Sequence, residues 1–85
     1  MLIRSRDKKT VLNITEVAGL EIVRERIYPS GESRPLPGFA IEAILARYNG
    51  RVALAEYESE EEALSVLRAI EQWFEQGGKG TFEIQ

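Results

Sequence analysis

The chain contains no cysteine and no histidine. Without thiols there is no disulfide framework and no thiolate metal site. Without imidazole, the commonest general base and the commonest metal ligand are both missing. Asp7 is the single aspartate, so acid–base chemistry would fall to glutamates, and most of these lie on one helix or at charged strand positions. No apolar run approaches the roughly 18 residues needed to cross a membrane, and the opening MLIRSRDKK has no apolar stretch of signal-peptide type. Gly77, Gly78 and Gly80 follow a helix rather than precede one, so they do not form a phosphate-cradling loop. These absences speak against an enzyme, a metal or cofactor site and a membrane protein, and they point to a cytoplasmic location. Lysine is scarce too, with three against eight arginines.

What remains is an ordinary globular composition, 44% apolar and 29% charged, in 85 residues that make one domain, 1–85. The most legible element runs from Ser59 to about Gln76. Ser59 is a good N-cap, and Glu62 stands three residues on, as in a capping box. Glu60, Glu61 and Glu62 place negative charge at the positive end of the helix dipole. Ala63, Val66, Leu67, Ile70, Trp73 and Phe74 recur at three- and four-residue spacing and form an apolar stripe. Gly77-Gly78 supply the left-handed stop.

Before the helix, two apolar runs flank Asn49-Gly50, the strongest short hairpin signal. A two-residue turn there pairs Tyr48 with Arg51. Ile41, Ala43, Leu45, Val52 and Leu54 then share the face that meets the helix. Ile44, Ala46, Tyr48, Ala53, Ala55 and Tyr57 share the other. A sheet wetted on one side alternates cleanly between apolar and polar; this hairpin does not. The second face is therefore the candidate interface, with a homodimer as the expected cover, cover by the chain's own Pro-rich loop, N-terminal strands or final strand as the first alternative, and a protein partner as the second. Further strands are predicted over 2–6, 10–14, 19–28 and 81–85. Pro29–Gly38, with three prolines and two glycines, reads as an irregular loop. The fold expected is α+β: a mostly antiparallel meander of about five strands, one C-terminal amphipathic helix packed on the sheet, and a short final strand.

Charge is uneven along the chain. Residues 1–51 hold nine basic and six acidic side chains; residues 52–85 hold two and eight. Arg4, Arg6, Arg24, Arg26, Arg47 and Arg51 form a candidate surface for a small anionic ligand, and nucleic acid is the less favoured occupant because the sequence pI is near 5.0. No residue set qualifies as catalytic, cofactor-binding or metal-ligating.

Two stretches carry a family resemblance. Ile3-Arg4-Ser5-Arg6-Asp7-Lys8 with Val11-Leu12-Asn13 is similar to an I-R-S-x-D-K … V-x-N pattern. Leu54-Ala55-Glu56-Tyr57, continuing through Ser59-Glu60-Glu61 and Ala63 to Val66-Leu67 and Ile70, is similar to L-G-x-Y-x-S/T-E-E-x-A-x-x-V-L-x-x-I. Together they resemble a family of small uncharacterised proteins from Gram-positive bacteria and their prophages. The match spans roughly half the chain and departs at Ala55, where the family pattern favours glycine. The resemblance implies no established activity, so no residue role comes with it. The expected function is that of a non-catalytic interaction or self-associating module, with an arginine-based anion binder as the alternative.

Overall fold

A computed structural model describes residues 1–27, 36–47 and 50–85. In chain order it contains β1 (Leu2–Arg4), β2 (Val11–Asn13), a single 3-10 turn (Ile14–Glu16), β3 (Val17–Ile27), β4 (Leu36–Leu45), β5 (Arg51–Tyr57), α1 (Glu60–Glu75) and β6 (Thr81–Glu83). The architecture is α+β, with the helix packed on the sheet, as the sequence predicts. The strands divide into two sheets, ordered β2-β1-β6 and β3-β4-β5. All pairs are antiparallel except β1 with β6, which are parallel and separated in sequence by all the other elements.

The sequence reading and the structure differ at the β4–β5 turn. Ile44 lies opposite Arg51, and the Leu45 amide donates to the Gly50 carbonyl at 2.8 Å. Residues 46–49 therefore form the connection, rather than Asn49-Gly50 alone. Tyr48 and Asn49 themselves lie outside the described residues. On the other side of β4 the Ala46 amide donates to the Glu16 carbonyl at 2.9 Å, one step beyond the Val17–Leu45 pair. The predicted Pro29–Gly38 loop is also shorter than expected. Residues 28–35 lie outside the described residues, but Pro37 and Gly38 already pair with Arg26 and Glu25 inside β4. A proline is tolerated there because β5 ends at Tyr57, opposite Phe39, and leaves β4 with one free side.

A bulge sets the packing. The register moves from Glu42↔Ala53 to Ile41↔Ala55, so Leu54 is an extra residue on β5. The inserted residue shifts the alternation by one. Val52 points inward and Ala53 outward; Leu54 and Ala55 are both buried; Glu56 points out and Tyr57 in. The core is Ile3, Ile41, Ala43, Leu54, Ala55, Tyr57, Ala63, Ile70 and Ile84. Each of its fully buried large aliphatic side chains contributes about 1.5–3 kcal/mol relative to exposure.

Helix α1 follows its expected design. The Ser59 hydroxyl accepts from the Glu62 amide at 3.2 Å. The other half of the capping box differs, since the same hydroxyl donates to the Glu62 carboxylate at 3.2 Å. At the far end the Gly78 amide bonds to the Trp73 carbonyl and the Gly77 amide to that of Phe74. This is a Schellman closure, and it requires the positive φ, 110°, that Gly77 adopts. The apolar stripe proves wide. Ala63 and Ile70 lie at its centre and are buried. On one flank Trp73 meets Phe82 of β6, with ring centroids 5.7 Å apart, and its indole N–H donates to the Lys79 carbonyl at 3.1 Å. The opposite flank, Leu67 and Phe74, is more open, and Phe74 is 52% exposed.

Two stability outcomes follow. Ser59→Ala is expected to cost about 1 kcal/mol in denaturant unfolding, through loss of the acceptor for the Glu62 amide. Ile70→Ala is expected to cost roughly 2–5 kcal/mol, with Leu67→Ala well below it and Phe74→Ala smaller still, because only the first leaves a cavity in a closed site. Equal losses at the three positions would contradict this packing.

Candidate functional site

The outer face of β3-β4-β5, away from the helix, is built from alternate residues of each strand. Gly19, Glu21, Val23 and Glu25 lie on β3; Gly38, Ala40, Glu42 and Ile44 on β4; Arg51, Ala53 and Glu56 on β5. The apolar second face expected of the hairpin is thus redistributed. Ile44 and Ala53 do lie outward. Ala55 and Tyr57 do not: the Leu54 bulge turns both into the core, where they are 6% and 4% exposed. Ala46 is exposed past the end of β4, and Tyr48 lies outside the described residues. The face that results carries four glutamates and one arginine.

Arg51 bridges two of those carboxylates. Its Nη1 donates to Glu21 at 2.7 Å and to Glu42 at 3.2 Å, and these bonds raise its pKa further. Glu25 and Glu56 have no cation within ion-pairing distance among the described residues. Partial burial lifts the Glu25 carboxyl above its ordinary value, and the hydrogen bond and repulsion from Glu56 add to this, with a smaller push from Glu42.

The six arginines singled out in the sequence do not converge. Arg4 Nε sits 2.9 Å from Glu83 Oε1 on the outer side of the small sheet. Arg47 lies 3.9 Å from Glu16. Arg51 is held on the outer face. On the helix side, Arg24 stacks over Phe39 at 5.9 Å, and Arg26 lies two residues further along β3. Arg6 has a structural role that the sequence did not signal. Its amide donates to the Leu54 carbonyl at 2.8 Å, its Nη1 donates to the Glu56 carbonyl at 2.6 Å, and its guanidinium lies 4.6 Å from the Tyr57 ring centroid. One residue from the β1–β2 turn thereby occupies the free edge of β5. Tyr57 in turn donates to the Gln85 carbonyl at 3.2 Å, and burial raises its pKa.

The opposite edge of the same sheet is not occupied in this way. Among the described residues, no backbone hydrogen bond from outside the sheet reaches β3. Beside the start of β3 lies an apolar groove of about 320 Å³. Ile14, Val17, Gly19 and Leu20 form one wall; Leu67, Ile70, Glu71 and Phe74 form the other. An unpaired strand edge and an exposed aromatic at the rim of an apolar groove are thus side by side. Sequence reasoning assigned Leu67 and Phe74 to the core. The signal that pointed otherwise was the width of the stripe, since six apolar positions cover more arc than one sheet contact needs.

Residue chemistry elsewhere is structural. Ser5 is buried, donates to Asp7 Oδ1 at 2.6 Å and accepts from the Thr10 amide at 3.0 Å, so it holds the β1–β2 turn. Those bonds, the Ser5 contact first, draw the Asp7 pKa below its usual value. No group of three or more acidic, histidine or cysteine side chains gathers to hold a metal among the described residues, and none of the described helices is long and apolar enough to cross a membrane. Compared with protein-family models, curated proteins and solved structures, the chain matches none.

The Glu25 environment predicts a pH effect of definite sign. A carboxyl whose folded pKa is raised above 4.5 favours the fold below that pH, and the contribution is lost as pH climbs through the raised value. Glu25→Gln is therefore expected to melt above wild type at pH 7, with the two curves converging below about pH 4.5. A variant that melts below wild type at pH 7 would show that the carboxylate is stabilised instead.

Proposed function

We propose that this chain is a non-catalytic protein–protein interaction module whose contact surface is the open edge of β3 together with the groove beside it. The observation that carries the reading is the difference between the two edges of one sheet. Arg6 occupies the β5 edge with main-chain and side-chain donors, whereas β3, eleven residues long, has an outer edge that no backbone hydrogen bond reaches among the described residues, beside Phe74. A long open edge is a template for pairing, and proteins ordinarily shorten, bulge or cover such strands. Here the single bulge, at Ala18 between Val17 and Gly19, lies at the very start of β3 and leaves the remainder regular. Aromatic residues, phenylalanine among them, are enriched in protein interfaces relative to the rest of the surface.

A second reading, an anion binder, draws on one specific feature. Arg24, Phe39, Tyr57 and Arg6 lie in a row across the helix side of the sheet, with a guanidinium stacked at each end. Stacked arginines and aromatics can hold phosphates and bases. The net charge of −3 and the dispersal of the remaining arginines favour the first reading.

The two readings separate in solution. For the interaction module, sedimentation and affinity capture are expected to reveal a protein contact, with a second copy or another chain, that Phe74→Asp abolishes while the far-ultraviolet spectrum is unchanged. A panel of nucleotides, polyphosphate and oligonucleotides is expected to leave the melting temperature unmoved. A rise with an oligonucleotide, together with no Phe74-dependent protein contact, would transfer the assignment to the anion binder.

A further inference from the structure

Resting on the interaction reading, we infer that the occupant of this edge is an extended segment of a different protein, added to β3 as a strand. Its pattern is complementary: apolar where it meets Leu20 and Ile22, acidic where it meets Arg24 and Arg26, and basic where it meets Glu25.

The unpaired backbone decides the form of the occupant. A strand edge offers N–H and C=O groups at strand spacing, and another extended backbone satisfies them in sequence, which a helix cannot do. The side chains of β3 decide its composition. Leu20, Ile22, Arg24 and Arg26 point to the helix side, and Glu21, Val23 and Glu25 to the outer side. A residue opposite Leu20 enters the groove against Leu67 and Phe74. Glu21 is already taken by Arg51, whereas Glu25 and its neighbour Glu56 have no cation within ion-pairing distance among the described residues. A lysine or arginine opposite Glu25 would separate the two like charges.

The same charges speak against a second copy. A two-fold axis through the sheet sets two β3 strands antiparallel with residues of one face opposite each other. Centred on Val23, that arrangement puts Glu21 against Glu25. Centred on Arg24 or on Glu21, it sets each against its own copy. Centred on Ile22, it leaves Glu25 beside Gly19 and Arg24 beside Leu20. No such register forms an ion pair, and like charges directly opposite are destabilising. A heterologous strand meets each charge with its opposite.

The test uses the full chain and two end-capped synthetic peptides of one composition. Glu-Lys-Glu-Val-Ile-Thr-Leu is complementary in the antiparallel sense, and its reverse, Leu-Thr-Ile-Val-Glu-Lys-Glu, in the parallel sense. Amide hydrogen exchange and titration are read for each. One peptide is expected to bind and to slow exchange at amides within 18–26, with the reverse peptide much weaker. Phe74→Ala should weaken binding roughly tenfold. Glu25→Lys should weaken it about five-fold and restore it for a peptide in which glutamate replaces the lysine. Three results overturn the inference: neither peptide slowing β3 exchange at ~1 mM, the β3 amides that face away from β4 already protected in the free monomer, or protection that appears with increasing protein concentration alone. The last identifies the occupant as a second copy. A Phe74-dependent protein contact accompanied by any of the three leaves the interaction reading standing and removes only the foreign strand.

Discussion

The structure depends on one extra residue in β5. Leu54 interrupts the pairing with β4, and its insertion brings Leu54, Ala55 and Tyr57 into the core of a strand that would otherwise send Ala55 and Tyr57 to solvent. On the free edge of the same strand the Arg6 amide donates to the Leu54 carbonyl at 2.8 Å. That bond, with the Arg6 guanidinium against Tyr57 and the Glu56 carbonyl, ties the small sheet to the edge of the large one. Core composition, sheet-to-sheet attachment and closure of the β5 edge therefore meet in one short strand.

Once β5 is closed by Arg6, the open character of the large sheet concentrates on β3. The helix cannot cover that edge, because its centre line, Ala63 and Ile70, is held over β4 and β5, while Trp73 is drawn toward Phe82. Leu67 and Phe74 are left overlooking the start of β3. The exposed aromatic, the groove and the unpaired backbone are thus a joint consequence of how α1 is seated. The charged outer face plays a different part. Its glutamates and Arg51 keep that side wet, and a face of this composition resists stacking on another sheet.

Much of this was legible in the residues. Ser59 and the glutamates after it mark the helix start, and Gly77-Gly78 mark its stop, because capping and left-handed backbone are local chemistry that needs no neighbour. The α+β class and the order of the elements follow from periodicity alone. Of the proposed interface residues, Ile44 and Ala53 were correctly placed outward. Ala55 and Tyr57 were misplaced because strict alternation was carried through Leu54. A sequence apolar on both strand faces has two physical explanations, a sheet covered on both sides or a phase shift within one strand, and here the second holds. The arginines show the same limit. Their number is a property of the sequence, but Arg4, Arg47 and Arg51 are committed to glutamates brought near by pairing, and Arg6 to carbonyls on the edge of β5.

By itself, then, the sequence determined the helix with both its ends, the class of fold, and the lack of thiol and imidazole chemistry, since each is set by residue identity and short-range spacing. Only the tertiary structure decided the β4–β5 register, the division into two sheets, the burial of Tyr57 and the contrast between a covered β5 edge and an open β3 edge. Those are outcomes of long-range hydrogen bonding, in which a shift of one residue reverses every side chain that follows, and no local preference along the chain carries that information.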